Sequence, residues 1–363
     1  MKSALGKEIS YGFTAALYSL PFALYMSFTT GLDLRIMSVV YSVFALLGVT
    51  LKVGLLLAQV YAFLPVLFVF VKFGILPGLL CTALTSVISV ILFKLPYKKF
   101  LNTYVAAGIT IMLAFCATAL FTTDYFGIGA GGGTVSEILR AYRFLGFHPN
   151  WRGVLYGTVS LVIMITYPRA FKKLKARLPA PAIAVFVPYI LNLFLNPVPE
   201  MTYINESSCL YDLSDFSLSF SGKGVVYIVI GALASSLILQ TFREKEKSLV
   251  FGAPKLHAVA YDTEKSGFLI AFVYILVFFA AVFSLKTVII RIPVHSLAVV
   301  SIVTAWQGVE WENIAKAFRN GLATWLLLVL TFSCIFILDA SEAVLFAFLI
   351  SIIYNGVLLW LKK

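Results

Sequence analysis

Residues 9–30 read ISYGFTAALYSLPFALYMSFTT, a run that contains no charged side chain. A helix of about 20 apolar residues is long enough to cross the ~30 Å hydrocarbon core of a bilayer. Lys2 and Lys7 precede the run, as in a signal peptide, but the run is too long for the apolar region of a cleaved signal. It therefore predicts a first membrane span close to the N-terminus.

The rest of the chain has the same character. Apolar residues make up 61% of the 363 residues and charged residues 12%, whereas a soluble domain has roughly 45–50% and about 25%. The mean hydropathy is +0.98. The net charge of +12 does not predict nucleic-acid binding, because the basic residues separate apolar runs instead of sharing one polar face. The composition predicts one all-α, multi-pass membrane domain over residues 1–363.

Charged markers divide the chain into apolar runs, each of which we interpret as a membrane span. The twelve runs are 9–30, 36–51, 53–71, 73–93, 101–121, 153–167, 180–195, 224–241, 267–285, 289–306, 322–338 and 340–361. Several are near or below the usual minimum of about 17 residues, so neighbouring helices must shield their ends. Prolines within or beside these runs, such as Pro21 and Pro188, favour the interrupted helices of a transporter, with an ordinary packing kink as the alternative.

The distribution of lysine and arginine predicts the orientation. With the N-terminus in the cytoplasm, 20 of the 28 basic residues fall on the cytoplasmic side and 8 on the other, as the positive-inside rule requires. Both termini are therefore expected in the cytoplasm, in a plasma membrane or a bacterial inner membrane. The sequon at Asn205 then lies outside, where it is either a glycosylation site or a chance tripeptide.

Two polar loops have features of their own. Five basic residues between Arg169 and Arg177 form either a site for anionic lipid or a topology anchor. Thr134 and Glu137 have the spacing of a capping box and predict a short amphipathic helix to about Leu145, at the outer interface.

No catalytic or metal-binding pattern is present in the sequence. His148, His257 and His295 lack metal-ligand spacing, and the glycine run at 129–134 lacks the ending of a phosphate-binding loop. Three of the four cysteines fall within apolar runs and Cys209 lies in a polar loop, which gives no disulfide framework. The sequence therefore predicts neither an enzyme nor a cofactor.

The positions of the acidic residues bear on ion coupling. All 16 fall in loops or at the ends of apolar runs. Proton- and sodium-coupled carriers usually rely on a carboxylate inside the membrane, so coupling to cations is disfavoured. An anion needs no such group, because the N-terminus of an interrupted helix offers free N–H donors.

Several segments, in order along the chain, resemble the sulfate permease (SulP) family of anion transporters, which includes the animal anion exchangers. They are GFTA at 12–15, PFALY at 21–25, YVAAGIT at 104–110, LPAPAIA at 178–184, IPVHSLA at 292–298 and WENI at 311–314. The resemblance extends over most of the chain. It implies an inverted repeat of seven plus seven helices, with the anion held between the N-termini of the third and tenth helices.

The resemblance also implies a shortened chain. The first repeat is expected at 1–200 with seven spans and the second at 221–363 with five. Residues 243–266 occupy the place of the family's ninth and tenth helices and contain no apolar run long enough to span, so two of the family's fourteen helices are expected to be missing. The chain ends after the last span, where the family's cytoplasmic STAS domain would follow.

The positions that match the family's substrate-binding segments are Phe22, Tyr25, Val53, Gly54, Ser235 and Ser236. Phe22 stands in place of a glutamine and Ser235 in place of an acidic residue. Two functions follow from this comparison. The first is secondary transport of a small inorganic anion, such as sulfate, bicarbonate or a similar oxyanion. The second is a non-transporting membrane scaffold or partner subunit. A homodimer is a further expectation.

Overall fold

The computed structural model describes residues 2–30, 32–51, 61–94, 101–128, 135–170, 179–195, 222–242, 267–284, 286–289 and 291–361, and these segments are helical. In chain order the helices are α1 (Lys2–Thr30), α2 (Leu34–Thr50), α3 (Phe63–Phe73), α4 (Ile75–Phe93), α5 (Thr103–Phe126), α6 (Val135–Leu145), α7 (Trp151–Ala170), α8 (Ala180–Phe194), α9 (Gly222–Phe242), α10 (Gly267–Ser284), α11 (Lys286–Ile289), α12 (Val294–Gln307), α13 (Trp311–Arg319), α14 (Leu322–Ser333) and α15 (Ala340–Leu361).

Each of the twelve predicted spans falls on one of these helices, which confirms the all-α membrane architecture. Helices α4, α5, α9 and α15 are long and apolar enough to cross a bilayer by themselves. Shorter apolar helices include α2, α3, α8, α10, α12 and α14. The predicted amphipathic helix is α6, and α13 is a second one, with Ile314 and Ala317 buried and its charged residues exposed.

The helices pack into two groups. The first group contains α1, α2, α3, α4, α9 and α10, in which the most extensive contacts join α9 to α4 and α1 to α10. The second group contains α5, α7, α8, α12, α13, α14 and α15, in which α12 packs on both α5 and α7. Contacts between the groups are fewer and run mainly from α9 to α15 and from α1 to α12. We term the boundary between the groups the seam.

The helix contacts made by the first half of the chain recur in the second half. The contact of α1 with α10 corresponds to that of α9 with α4, and the contact of α7 with α12 corresponds to that of α14 with α5. The amphipathic helices also correspond, because α6 follows α5 as α13 follows α12. This is the inverted-repeat arrangement that the family resemblance implies.

Glycines lie at close helix contacts in the first group. A Cβ atom on Gly12 of α1 would lie 2.7 Å from the carbonyl oxygen of Ile270 on α10. A Cβ atom on Gly231 of α9 would lie 2.9 Å from Val69 of α3 and 3.1 Å from Cys81 of α4. Small residues at such crossings let helix backbones approach closely in a membrane, where apolar burial alone does not hold helices together.

Three predictions concern residues outside the described segments. These are the missing helices at 243–266, the boundary between the repeats at 200–221, and the basic cluster from Arg169 to Arg177, of which only Arg169 belongs to a described segment. They stay predictions.

Candidate functional site

One face of α1 runs along the seam. Tyr18, Phe22 and Tyr25 are spaced by four and three residues, which places them on the same side of a helix. The Tyr18 hydroxyl donates a 3.2 Å hydrogen bond to Gln307 Oε1 at the end of α12. The Tyr25 hydroxyl donates a 2.6 Å bond to Asp124 Oδ2 in the last turn of α5. Helix α1 therefore contacts the second group at two depths.

Phe22 lies in a cluster of aromatic rings between these two contacts. The cluster contains Phe22, Tyr25, Tyr41, Phe44, Phe63, Phe121, Tyr274 and Phe278. Phe22 and Phe121 meet edge to face with centroids 6.3 Å apart, and Tyr41 stacks on Phe278 at 6.0 Å. All eight side chains are buried. Phe22 contributes an apolar ring to this centre and no hydrogen bond.

Ser235 and Ser236 join helices of the first group. Ser235 Oγ donates a 2.6 Å hydrogen bond to the carbonyl oxygen of Ala62, just before α3. Ser236 Oγ contacts the carbonyl oxygens of Thr85 at 3.1 Å and of Ala232 at 2.7 Å. Both serines are fully buried. Because these hydroxyls bond to backbone carbonyls, they stabilise the packing of α9 on α3 and α4.

The start of α3 lies between the predicted site residues of α1, Phe22 and Tyr25, and those of α9, Ser235 and Ser236. Ala62 accepts the bond from Ser235, and the ring of the next residue, Phe63, lies 5.3 Å from that of Tyr41 in the aromatic cluster. Tyr61, one residue earlier, donates to the carbonyl oxygen of Ala305 on α12, across the seam. The predicted substrate contacts Val53 and Gly54 lie outside the described residues.

A further polar contact crosses the seam, between α9 and α15. The Tyr227 hydroxyl donates to Glu342 Oε1 at 3.4 Å. The Lys72 ammonium lies 4.4 Å from the centroid of the Tyr227 ring and 5.0 Å from that of Phe68, so cation–π attraction adds to this contact. Like the bond from Tyr25 to Asp124, it pairs a tyrosine of the first group with a carboxylate of the second.

Asp124 also influences the amphipathic helix α6. Burial, followed by the nearby Asp124 carboxylate, raises the pKa of Tyr142 to about 12. The Tyr142 hydroxyl is itself buried. Asp124 is thus placed between α1 and α6, close to the end of α5.

A cleft of about 420 Å³ lies at the end of α12, lined by Val303, Trp306, Gln307 and Trp311. The indole rings of Trp306 and Trp311 stack with centroids 5.8 Å apart and planes 14° apart. The Trp306 indole is fixed in place, because its Nε1–H donates a 2.7 Å bond to Thr118 Oγ1 of α5. Tyr18 of the first group contacts Gln307 in this cleft, which places the cleft on the seam.

Asp124, Gln307 and Trp311 were not among the site residues predicted from the sequence. The run that predicted the fifth span stops at residue 121, whereas α5 continues to Phe126 and so includes Asp124. The tenth predicted span stops one residue before Gln307. Their contacts with α1 depend on tertiary packing, which the local pattern does not contain.

Within the described segments, no group of three or more histidine, cysteine or acidic side chains is arranged to hold a metal ion. The contacts that these segments do show along the seam are hydrogen bonds and ring contacts.

Solved structures of anion transporters share this fold. The transmembrane domain of a cyanobacterium bicarbonate transporter, BicA, matches with a TM-score of 0.59 and 13% sequence identity over 97% of both chains. SLC26A9 matches with a TM-score of 0.61 and 13% identity over 99% of this chain and 66% of the other. The murine Slc26a9 anion transporter in its inward-facing state matches with a TM-score of 0.56 and 13% identity over 96% of this chain and 68% of the other.

Neither a protein-family profile nor a curated protein sequence matches this chain. The likeness therefore concerns the fold, which is that of the SulP and SLC26 transporters, as the sequence motifs implied.

Proposed function

We propose that this protein is a secondary transporter of small inorganic anions. The observation that carries the proposal is the fold, which nearly the whole chain shares with a bicarbonate transporter and with SLC26A9. Sulfate, bicarbonate and similar oxyanions are the substrates that we propose. Fold alone does not fix function, so the packing of the site residues also enters the argument.

The two helix groups provide a route to alternating access. Transport requires the first group to move against the second, so that the site opens to one face of the membrane and then to the other. The hydrogen bonds that Tyr25 and Tyr227 donate across the seam must break when their ends of the groups separate. The bond from Tyr18 to Gln307 must break when the groups separate at the cleft.

We place the anion near the start of α3, where Phe63 and Ala62 connect the aromatic cluster to Ser235. Val53 and Gly54 precede this region in the chain and are proposed to supply backbone N–H donors, with Phe22, Tyr25, Ser235 and Ser236 around them. Glycine at position 54 would let the backbone approach the anion closely. Free N–H groups at a helix start hold an anion without a cationic side chain.

In the cell, we propose that the chain is a multi-pass protein of a plasma membrane or bacterial inner membrane with both termini in the cytoplasm. The basic loop at Arg169 to Arg177 is a proposed contact for anionic lipid, and a homodimer is a proposed assembly. The chain is proposed to act without a cofactor and without enzymatic chemistry.

A second candidate function is a non-transporting scaffold or partner subunit. It is favoured by the bonds from Ser235 to Ala62 and from Ser236 to Thr85, because these hydroxyls hold helices together instead of facing an open site. The apolar ring of Phe22 in the buried aromatic cluster favours it as well.

Anion flux into proteoliposomes distinguishes the two functions. Purified protein should accelerate uptake of bicarbonate, sulfate or chloride over empty liposomes, and an uncoupler should not abolish that uptake. Gly54→Leu should remove the flux while Gly356→Leu, at a position with no atom within 4 Å of an added Cβ, should keep it. If the wild-type protein moves none of the three anions, the scaffold is the better description.

A further inference from the structure

The cleft at the end of α12 offers hydrogen-bond donors and few acceptors. Gln307 Oε1 accepts the bond from the Tyr18 hydroxyl, so the amide NH₂ group is the part of Gln307 left to meet a ligand. Trp311 adds an indole N–H, for which no acceptor is found among the described residues. The Trp306 N–H is already bonded to Thr118.

Two backbone acceptors next to the cleft are also occupied. The carbonyl oxygen of Ala305 accepts from Gly308 N and from the Tyr61 hydroxyl. The carbonyl oxygen of Trp306 accepts from the backbone N–H of Val309. A ligand in this cleft can therefore accept hydrogen bonds from the Gln307 NH₂ group and the Trp311 indole N–H, beside the two aromatic rings.

We propose that this cleft is a second anion site, separate from the site at the start of α3, in which Gln307 Nε2 and Trp311 Nε1 donate to a small anion. The proposal rests on the proposed transport function, because it assigns the cleft to the path between the central site and the membrane face nearest the end of α12. Tyr18 belongs to the first helix group, and its hydrogen bond orients the Gln307 amide. Movement of the first group against the second would therefore change the position of a donor to the bound anion.

The lining favours singly charged anions. The described lining residues Val303, Trp306, Gln307 and Trp311 carry no charge. The desolvation cost of an ion rises with the square of its charge, and without a cationic partner this cost is not offset. Chloride and bicarbonate are therefore expected to bind in the cleft more tightly than sulfate.

Tryptophan fluorescence tests the proposal independently of transport. Purified protein in detergent is titrated with chloride, bicarbonate or sulfate, with gluconate replacing each anion to hold the ionic strength. The double substitution Trp306→Phe and Trp311→Phe identifies the part of the signal that comes from the cleft. We expect a saturable change in that part with chloride and bicarbonate, and a weaker one with sulfate.

Substitutions of Gln307 then identify the donor. Gln307→Leu removes the amide and should weaken binding about tenfold or more, as expected for a hydrogen bond to a charged acceptor. Gln307→Glu should abolish binding by repulsion, and Gln307→Asn, which keeps the NH₂ group, should restore part of it. The matched control is Gln240→Leu, because Gln240 is buried in α9 and donates to the Ser89 carbonyl oxygen, within the first group.

The outcomes separate the cleft from the transport function. Saturable binding that is lost in Gln307→Leu and kept in Gln240→Leu supports an anion site in the cleft. This holds even if liposomes show no flux and the transport proposal fails. Equal anion responses in Gln307→Leu and wild type overturn the proposed anion site in the cleft, even if liposomes transport anions. A wild-type protein whose cleft signal responds to none of the three anions overturns it as well.

Discussion

Tyr25 of α1 donates a 2.6 Å hydrogen bond to Asp124 Oδ2 of α5, and the phenol ring is fully buried. The bond joins the two helix groups at the end of α1. Another tyrosine–carboxylate bond crosses the seam from the other half of the chain, where Tyr227 of α9 donates to Glu342 of α15. Each half of the chain therefore contacts the second helix group through a tyrosine, near the end of α1 and near the start of α9.

Tyr25→Phe removes the hydroxyl and keeps the ring against Phe121, whose centroid lies 4.7 Å away. The Asp124 carboxylate then loses a donor in a poorly solvated place, which should lower stability by about 1–3 kcal/mol. Melting in detergent measures the effect. Asp124→Asn, which removes the charge, should cost less, and Tyr189→Phe on α8 serves as the control. A Tyr25→Phe protein as stable as Tyr189→Phe would contradict the role of this bond.

Ser235→Ala tests whether Ser235 is a packing residue or a substrate contact. The hydroxyl donates 2.6 Å to Ala62 between helices, so its loss should lower stability by roughly 1 kcal/mol. Ser236→Ala should lower stability less than Ser235→Ala, because the Ser236 hydroxyl also bonds to Ala232 within α9. The measurements are melting temperature and the KM for anion uptake. A raised KM at unchanged melting temperature would assign Ser235 to the substrate instead.

Gly153→Ala should destabilise the second helix group. A Cβ atom at this position would lie 2.1 Å from Nε2 of the fully buried His295, so the imidazole ring would have to move. Such overpacking costs about 1–3 kcal/mol, which melting in detergent can detect. Adding His295→Ala should recover part of the loss. Gly356→Ala, with open space around the new Cβ, should be nearly neutral. Similar melting temperatures for the two glycine variants would refute the clash.

The stability of the fold is expected to depend on pH through Asp339. Burial raises its pKa above the ordinary value of 3.8, and this effect outweighs the backbone hydrogen bonds from Glu342 and Ser341 and the attraction of Lys72, which lower the pKa. The folded state therefore holds the proton more tightly than the unfolded state, and ionisation destabilises the fold. The destabilisation is absent below the ordinary pKa and complete above the raised one.

Asp339→Asn keeps the oxygen that accepts the 2.9 Å bond from Glu342 N at the start of α15, and it removes the charge. Its melting temperature should exceed that of the wild type near pH 7, and the difference should shrink as the pH falls towards 3.8. Asp33→Asn is the comparison, since Asp33 pairs with Arg35 and should lose stability on substitution. A difference between Asp339→Asn and wild type that is independent of pH would disprove the assignment.

The orientation can be tested by cysteine labelling in a Cys209→Ser background, which removes the native thiol of the long polar loop. Asn205→Cys should react with an impermeant reagent added outside intact cells. Ser248→Cys should react only after the membrane is opened. The reverse pattern at either position would reverse the topology derived from the basic residues.

Within the described segments, the sequence predicted the order of the apolar helices, because each needs a run of apolar residues, whatever it packs against. It placed the end of the fifth span too early. Polar residues such as Thr122 made the run appear to stop, but the Thr122 hydroxyl bonds within the helix, 2.6 Å from the Thr118 carbonyl oxygen. Helix α5 ends instead at Phe126 and is followed by Gly127, which adopts φ +69°.

The candidate site could be predicted only in part. Family motifs pointed to α1 and α9, and the structure connects Phe22 and Ser235 through the start of α3. The roles of Tyr25 and Gln307 depend on partners far along the chain, Asp124 and Tyr18, which become neighbours only when the helices pack. No local pattern contains that information.

The pairing of α1 with α10 also determines when the protein can fold during its synthesis. The face of α1 at Gly12 packs closely against α10, which begins only at Gly267. At about 5–20 residues per second, a ribosome takes roughly 10–50 s to make the intervening chain. Throughout that time α1 must stay in the bilayer without its main partner. Any factor that shields α1 during this interval is therefore expected to increase the yield of folded protein.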